Sequence, residues 1–412
     1  MNSKQKQFII VPTLLLSLWS VTLAAQPQQS NAHLDTKTVL TADAGSVRVV
    51  NDHVTVTCEG NVRMASAQNN STLICQSIAA DGKNDLYRAQ ASGGVKFSMF
   101  LPVNQGGDLV EYKVEITAQS AIKSGDIIKL IGGKTNRPQL RMTPTNGQSK
   151  DLAILVADVI EFYPDAQNLA QMVTARPTSF MKASGNAVFT AIRQFGTSGK
   201  KIVGTAPLIT GMFENKPFPG VKANESSQVF HFENAGGTRP HLELNDLDPN
   251  VSDSATLTAN SITYAPDAEH DWTLNASRNN SPSPIAAMLA DGNVAFSVTR
   301  KGKTKATTAT AKAPLGMANG LPVNQVWNGE AESLVYALEM GASKVNKQVG
   351  SAKMNHVVRL SKGRNGQLPH VLLVDKDTGK HVSEMTSERA FINMDSGEWG
   401  FISDDAGTEG AK

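Results

Sequence analysis

The side chains that most often carry chemistry are scattered along this chain of 412 residues. The tightest cluster, DAEHD, contains Asp267, His270 and Asp271 and directly follows a predicted turn. It is either a solvated turn, which we favour, or a metal or acid–base site. The eight histidines include no pair at zinc-binding spacing, and the two cysteines form no CxxC motif. We therefore expect no catalytic residue, no bound metal and no cofactor, and we expect that the protein is not an enzyme.

Three short motifs resemble ligand-binding loops but are incomplete. Residues 375–379 (DKDTG) resemble the start of a calcium loop, but Thr386 stands where the twelfth-position glutamate is required. We interpret this motif as a hairpin turn. Residues 133–135 and 302–304 both read GKT, and neither has the earlier glycine of a phosphate-binding loop. Distant carboxylates brought together for glycoside cleavage remain an alternative that no motif favours.

Cys58 and Cys75 are the only cysteines in the chain and are 17 positions apart. In an exported protein such a pair is a candidate disulfide. The closed loop would stabilise the fold by about 3 kcal/mol in the chain-entropy model. The alternative is a pair of buried thiols that never oxidise.

The N-terminus carries the features of an export signal. Lys4 and Lys6 precede an apolar run over residues 8–23, and Ala24 and Ala25 follow it. This pattern predicts a signal peptide over residues 1–25, with an uncleaved membrane anchor as the alternative. The remaining chain has 37 basic and 37 acidic residues, so nothing in its charge points to nucleic acid as a partner.

From Val39 onward the chain alternates short apolar and polar runs such as residues 53–58 (HVTVTC), broken by Gly, Asn, Asp and Pro. This pattern predicts an all-β fold. Residues 331–340 (AESLVYALEM) are compatible with either a helix or a strand.

Internal repeats organise the chain. Residues 157–166 (ADVIEFYPDA) match residues 259–268 (ANSITYAPDA). Arg137-Pro138 recurs as Arg239-Pro240, and a third, weaker copy of this repeat contains Pro369. A turn-and-strand piece occurs three times, as ASGGVKF, ASGNAVF and ADGNVAF. Its Gly-Asn pairs accept positive φ and predict tight chain reversals. We predict a flexible lead-in over 26–37, three stacked β units over 38–150, 151–250 and 251–402, the last with closing strands, and a disordered tail over 403–412.

Recurrent apolar residues in these repeats are the candidates for a binding site. By strand parity Ile160 and Phe162 share one face, as do Ile262 and Tyr264. The other candidates recur at one place in the unit and are Phe97, Phe189 and Phe296. Either these seven side chains pack the core, or some of them line an apolar groove for a ligand.

Three segments near the N-terminus share a pattern of strands and a Gly-containing turn. They are residues 54–64 (VTVTCEGNVRM), 72–81 (TLICQSIAAD) and 91–99 (ASGGVKFSM), and residues 154–162 (ILVADVIEF) repeat the pattern. These segments resemble the OstA/LptA-like proteins of lipopolysaccharide transport. The resemblance covers about 40–175 and recurs over about 251–300. It implies tandem β-jellyroll (β-taco) units, open along one side and stacked into one elongated, solenoid-like structure. The chain is longer than a single jellyroll of this family.

The resemblance also implies a function and a location. We expect a periplasmic protein, associated with the outer membrane or free of it, that holds the acyl chains of lipopolysaccharide or a lipid A-like glycolipid in an apolar groove. The seven apolar candidates would line that groove. Edge-to-edge β pairing with other jellyroll transport proteins is expected as well. The alternative function is a structural or adhesive exported β-solenoid with a filled core and no lipid.

Overall fold

The structure is a computed structural model. It describes residues 32–35, 38–50, 53–66, 70–83, 86–105, 108–125, 127–145, 152–163, 178–195, 198–214, 227–246, 254–266, 268, 272, 284–301, 324–340, 354–363, 366–394 and 399–401. The predicted signal peptide (1–25) and the predicted tail (403–412) lie outside the described residues.

The chain is all-β, as predicted. The first strands are β1 (Ala32–Asp35), β2 (Thr38–Thr41), β3 (Ala44–Val50), β4 (His53–Ser66), β5 (Ser71–Lys83), β6 (Leu86–Gln105), β7 (Asp108–Ser124), β8 (Ile127–Ile131), β9 (Gln139–Pro144), β10 (Leu152–Val156), β11 (Val159–Phe162) and β12 (Thr178–Phe195). The later strands are β13 (Ser198–Glu214), β14 (Ser227–Glu233), β15 (His241–Asp246), β16 (Ser254–Thr258), β17 (Ser261–Tyr264), β18 (Ile285–Lys301), β19 (Asn324–Met340), β20 (Met354–Ser361), β21 (His370–Asp375), β22 (His381–Thr386), β23 (Arg389–Asn393) and β24 (Trp399–Phe401). Ala268 and Trp272 have helical backbone.

Two sequence interpretations are settled by these bounds. The ambiguous residues 331–340 belong to strand β19. Strand β1 lies within residues 26–37, where we predicted a flexible lead-in, and it pairs antiparallel with β2. The prediction is therefore wrong for residues 32–35, because backbone pairing orders a segment whose composition alone does not.

The chain divides into two compact units. The first comprises Met1–Phe195 and Thr205–Asn215, and the second comprises Gly196–Gly204 and Lys216–Lys412. The three-unit division drawn from the repeats stays a prediction, because compactness and sequence repetition are different criteria.

In the first unit, each long strand pairs antiparallel with its neighbours through two separate segments, which form two walls. Wall A consists of β3, β8, β11 and residues 53–59 of β4, 77–83 of β5, 86–92 of β6, 120–124 of β7 and 181–184 of β12. Wall B consists of β1, β2, β9, β10 and residues 62–66 of β4, 71–75 of β5, 95–105 of β6, 108–118 of β7 and 188–192 of β12.

The second unit repeats this arrangement. Wall C consists of β15, β16, β21, β22 and residues 294–301 of β18 and 324–331 of β19. Wall D consists of β14, β17, β20, β23, β24 and residues 285–291 of β18 and 333–340 of β19.

In β4, β6, β12 and β18 the two segments of the strand meet at glycine-containing pairs with left-handed backbone. Gly60-Asn61 in β4, Gly185-Asn186 in β12 and Gly292-Asn293 in β18 all have φ between 46° and 79°. Gly93-Gly94 in β6 has φ of 81° at both residues. Positive φ is confirmed at the Gly-Asn pairs, but the predicted chain reversal is wrong. The strands continue through these pairs, and in β4, β6 and β18 the pairing register shifts there, as in a β-bulge.

The proline repeat corresponds to one recurring backbone contact beside these bulges. The carbonyl of Pro138 accepts a hydrogen bond from the Ala157 N–H at 3.3 Å, and Pro240 accepts one from Ala259 at 3.3 Å. Pro369, the fainter third marker, accepts one from the Ser387 N–H at 3.2 Å. The three prolines therefore occupy equivalent structural positions.

Apolar side chains on the inner face of each wall form continuous rows across the strands. The clearest row crosses wall B in register and consists of Leu40, Met64, Leu73, Phe97, Ile116, Leu140, Leu155 and Phe189. All eight are at most 7% exposed. Burial of these rows supplies the hydrophobic free energy that holds the first unit together.

Arg137 clamps the bulge of β12. Its guanidinium donates hydrogen bonds to the carbonyl oxygens of Gly185 and Asn186, at 2.7 and 2.6 Å. Its Nε atom also lies 2.8 Å from Oδ1 of Asp158. In the second unit, Arg239 makes one longer bond, 3.4 Å, to the carbonyl of Thr258.

No helix in the described part of the chain has both the length and the apolar character that a membrane span requires.

We predict that Arg137→Ala lowers the free energy of unfolding by about 1–3 kcal/mol, because hydrogen bonds from a charged donor are lost. Arg137→Lys should lose part of this stability, since a single ammonium cannot contact the two carbonyl oxygens and the Asp158 carboxylate through separate nitrogens as the guanidinium does. Arg239→Ala is the matched control and should cost less. Urea unfolding measures all three variants, and equal losses for the two alanine variants would contradict the clamp.

Candidate functional site

All seven apolar residues singled out by the sequence are buried, between 0% and 8% exposed. In the first unit, Ile160 and Phe162 lie on wall A, and Phe97 and Phe189 lie in one row on wall B. Ile262 and Tyr264 lie on wall D of the second unit, and Phe296 lies on wall C. The structure thus distributes them over four walls and does not gather them at one site.

The second unit contains an apolar cavity of about 260 Å³ between its walls. Wall C contributes Leu242, Leu244, Ala255, Leu257, Phe296 and Val298 to the lining, and wall D contributes Met288, Leu334, Tyr336, His356 and Val358. Of the seven candidates, only Phe296 is among the lining residues. A mostly apolar lining is suited to a hydrocarbon group, because binding removes apolar surface from water.

The cavity also has polar residues in its lining. Asn245, Ser254 and Thr299 of wall C contribute, as does Lys200 of β13. On wall D, the rings of Tyr336 and His356 are stacked with centroids 5.9 Å apart and planes inclined by 14°. This combination of an apolar body with polar groups matches an amphipathic ligand better than a purely polar one.

Most of these lining residues were missed by sequence reasoning. Tyr336 lies in the segment that could be read as a helix, and His356 and Val358 lie in no recognised repeat. Their position follows from register, since Tyr336 pairs with Val358 and Leu338 with His356. The alternation of inward and outward side chains along paired strands would identify these lining residues once the strand pairing is known.

Phe296 is held in place by a glycine on the next strand. Phe296 and Gly329 are paired residues of β18 and β19. A Cβ atom built on Gly329 would lie 2.5 Å from the Phe296 ring and 2.9 Å from the carbonyl oxygen of His370. The ring therefore lies over the bare backbone, a close approach that only glycine permits. Phe232 over Gly204 and Phe180 over Gly211 repeat this contact.

We predict that Gly329→Ala lowers the free energy of unfolding by about 1–3 kcal/mol, because the added methyl overpacks the Phe296 ring. Chemical denaturation measures the change, and Phe296→Leu in the same chain should recover part of the loss. Gly133→Ala is the control, since its nearest neighbour would lie at 3.4 Å. Equal stability of the Gly329 and Gly133 variants would show that the ring moves aside freely.

A second sequence-predicted site, Cys58 with Cys75, lies in the first unit. Both are buried free thiols, on wall A and wall B respectively, either side of the Gly60-Asn61 bulge. Burial raises the pKa of both thiols, and that of Cys75 rises to about 11. The Ser77 backbone N–H opposes this rise at Cys75, and the neighbouring Cys58 adds to it. The disulfide between them stays a prediction.

We predict that the reduced protein loses stability as pH rises from about 9 towards about 11. The folded thiol of Cys75 has the higher pKa, so the folded state binds more protons than the unfolded state in this window. The stabilisation is complete below the unfolded-state pKa and is lost as pH rises through the folded-state value. Urea unfolding across this range should show a shallower decline for Cys75→Ala, and parallel curves would contradict the assignment.

The structure describes the remaining motifs only in part. Over the described ranges, no three His, Cys, Asp or Glu side chains are placed to hold a metal ion. The DKDTG motif is the turn between β21 and β22, where the Gly379 N–H donates to the Asp375 carbonyl at 2.8 Å. The Asp375 carboxylate accepts backbone N–H bonds from Asp377 and Thr378, and the first of these holds its pKa below the usual value. Of the DAEHD cluster, Asp267, His270 and Asp271 lie outside the described residues.

Comparisons with protein-family models, with curated proteins and with solved structures found no match to this chain.

Proposed function

We propose that this protein is a periplasmic lipid-binding protein that holds acyl chains of lipopolysaccharide, or of a lipid A-like glycolipid, in the interior of its second unit. The single observation that carries this proposal is the cavity of about 260 Å³ lined by Leu257, Phe296, Val298, Leu334 and Val358. Each methylene buried there would contribute about 0.8 kcal/mol to binding. The polar lining residues would face the sugar and phosphate end of the ligand.

The proposal includes the finer architecture and the location. In this proposal each unit would be a β-jellyroll open on one side, and the units would stack as in a solenoid; the paired walls of each unit support it. The motif resemblance to OstA/LptA-like proteins and the N-terminal export signal support a periplasmic protein near the outer membrane.

The same proposal names a protein partner. Among the described strands, β1, β3, β22 and β24 each pair with one neighbour only. Each therefore presents backbone donors and acceptors along its other side, which suit strand addition by another jellyroll transport protein.

A second candidate function is a structural or adhesive β-solenoid without lipid. The observation that favours it is the first unit, where the inward row from Leu40 to Phe189 is packed by its own side chains. In this case the cavity of the second unit would be a packing defect of no functional importance.

We predict that Ala255→Phe lowers the affinity for lipid A about tenfold or more. The new ring would fill the cavity that Ala255 lines, and overpacking of about 1–3 kcal/mol opposes ligand entry. Ala295→Phe is the matched control, because Ala295 precedes the inward Phe296 and points to the outer face of the same wall.

Photo-crosslinking and displacement of a fluorescent lipid A measure both variants, with unfolding curves to confirm that each is folded. Loss of binding in Ala255→Phe alone supports lipid binding in the cavity. If the unmodified protein binds no lipid A, or if both variants bind it equally, the structural alternative is favoured.

A further inference from the structure

Two tryptophans meet across the interior of the second unit. Trp327 lies on wall C and Trp399 lies on wall D, with ring centroids 5.1 Å apart and ring planes inclined by 69°. Trp327 is fully buried and Trp399 is 9% exposed. The Trp327 indole N–H donates to Oε1 of the buried Gln325 at 3.3 Å, which fixes the orientation of the ring.

This tryptophan pair lies next to the lining of the apolar cavity, on the following strands of walls C and D. On wall C, Trp327 is the register partner of the lining residue Val298. On wall D, the lining residue Val358 pairs with Ile392, and Ile392 pairs with Trp399. Neighbouring strands are about 4.8 Å apart, so the rings lie within one or two strand spacings of the lining.

The interior behind the pair is filled. Val371 and Leu373 of β21, the strand that follows β19 across wall C, face inward and are fully buried. Packed aromatic rings in such surroundings resist compression, because protein interiors are as dense as organic crystals. A hydrocarbon chain entering the cavity would therefore stop at the tryptophans.

We propose that Trp327 and Trp399 form the end wall of the lipid cavity and set the longest acyl chain that it accepts. This inference rests on the proposed lipid binding and makes the cavity a closed pocket at this end. Each added methylene should strengthen binding about fourfold, which corresponds to about 0.8 kcal/mol, until the chain reaches the rings. Beyond that length, further methylenes should not raise the binding affinity.

The test uses saturated fatty acids of increasing length as probes, with the dissociation constant measured for each on the full mature chain. In the unmodified protein, affinity should rise with length and then level off. In Trp399→Ala the levelling point, the chain length at which the affinity stops rising, should move to longer fatty acids. Trp327→Phe, which keeps an aromatic ring and is the milder change, should move it less but in the same direction.

Phe391→Ala is the matched control, since Phe391 lies on the neighbouring strand β23 and faces outward between the buried residues Ala390 and Ile392. It should leave the levelling point unchanged. If folded Trp399→Ala and Trp327→Phe both level off at the original length, the end wall is overturned while lipid binding stands. If the unmodified protein binds neither fatty acids nor lipid A, both proposals fail.

Discussion

The architecture depends on one backbone constraint: each long strand must serve two walls without ending. In β4, β12 and β18 the chain meets this constraint by entering the left-handed region of φ/ψ space at the middle of the strand, at Gly60-Asn61, Gly185-Asn186 and Gly292-Asn293. Ordinary side chains are disfavoured there, and glycine and asparagine are the residues that tolerate it. The recurring proline carbonyls and the Arg137 clamp then fix the backbone on either side of this point.

The two units solve the same packing problem differently. In the first unit, large side chains such as Met64, Phe97 and Ile116 follow each other in a buried row across neighbouring strands of wall B. In the second unit, small residues interrupt the equivalent rows, with Gly329 beside Phe296 and Ala255 beside Val298. Because dense interiors leave few voids larger than a water molecule, a cavity lined by apolar groups is a departure that invites a functional explanation.

The sequence predicted the fold class and many of its local details for physical reasons that act over short distances. Alternation of Val, Thr and Ile identified the strands, and the Gly-Asn pairs identified the points of positive φ. Whether such a pair reverses the chain or bends a continuing strand depends on the partner strand, which local sequence does not specify. For this reason the local sequence at Gly185-Asn186 predicts a reversal although the strand continues. For the same reason it does not predict β1, whose order comes from pairing with β2.

The candidate site was less predictable than the fold. Phe97, Phe189 and Phe296 are buried, as aromatic residues that recur on the inner face of a β unit can be, but their burial does not distinguish core packing from the lining of a groove. The cavity, however, is formed by residues that are far apart in sequence, such as Leu242, Tyr336 and His356. Their meeting is fixed by the register of β15, β19 and β20, a long-range property that no single repeat encodes.

The distribution of two rare residue types gives the protein a built-in pair of reporters. Of its four tryptophans, one, Trp19, falls in the predicted signal peptide, and the others, Trp272, Trp327 and Trp399, belong to the second unit. Both cysteines, Cys58 and Cys75, belong to the first unit. In a chain without residues 1–25, indole emission therefore monitors the second unit, while the rate of thiol labelling monitors the first. Comparing the two signals along one denaturant series decides, without any introduced label, whether the units unfold together or separately.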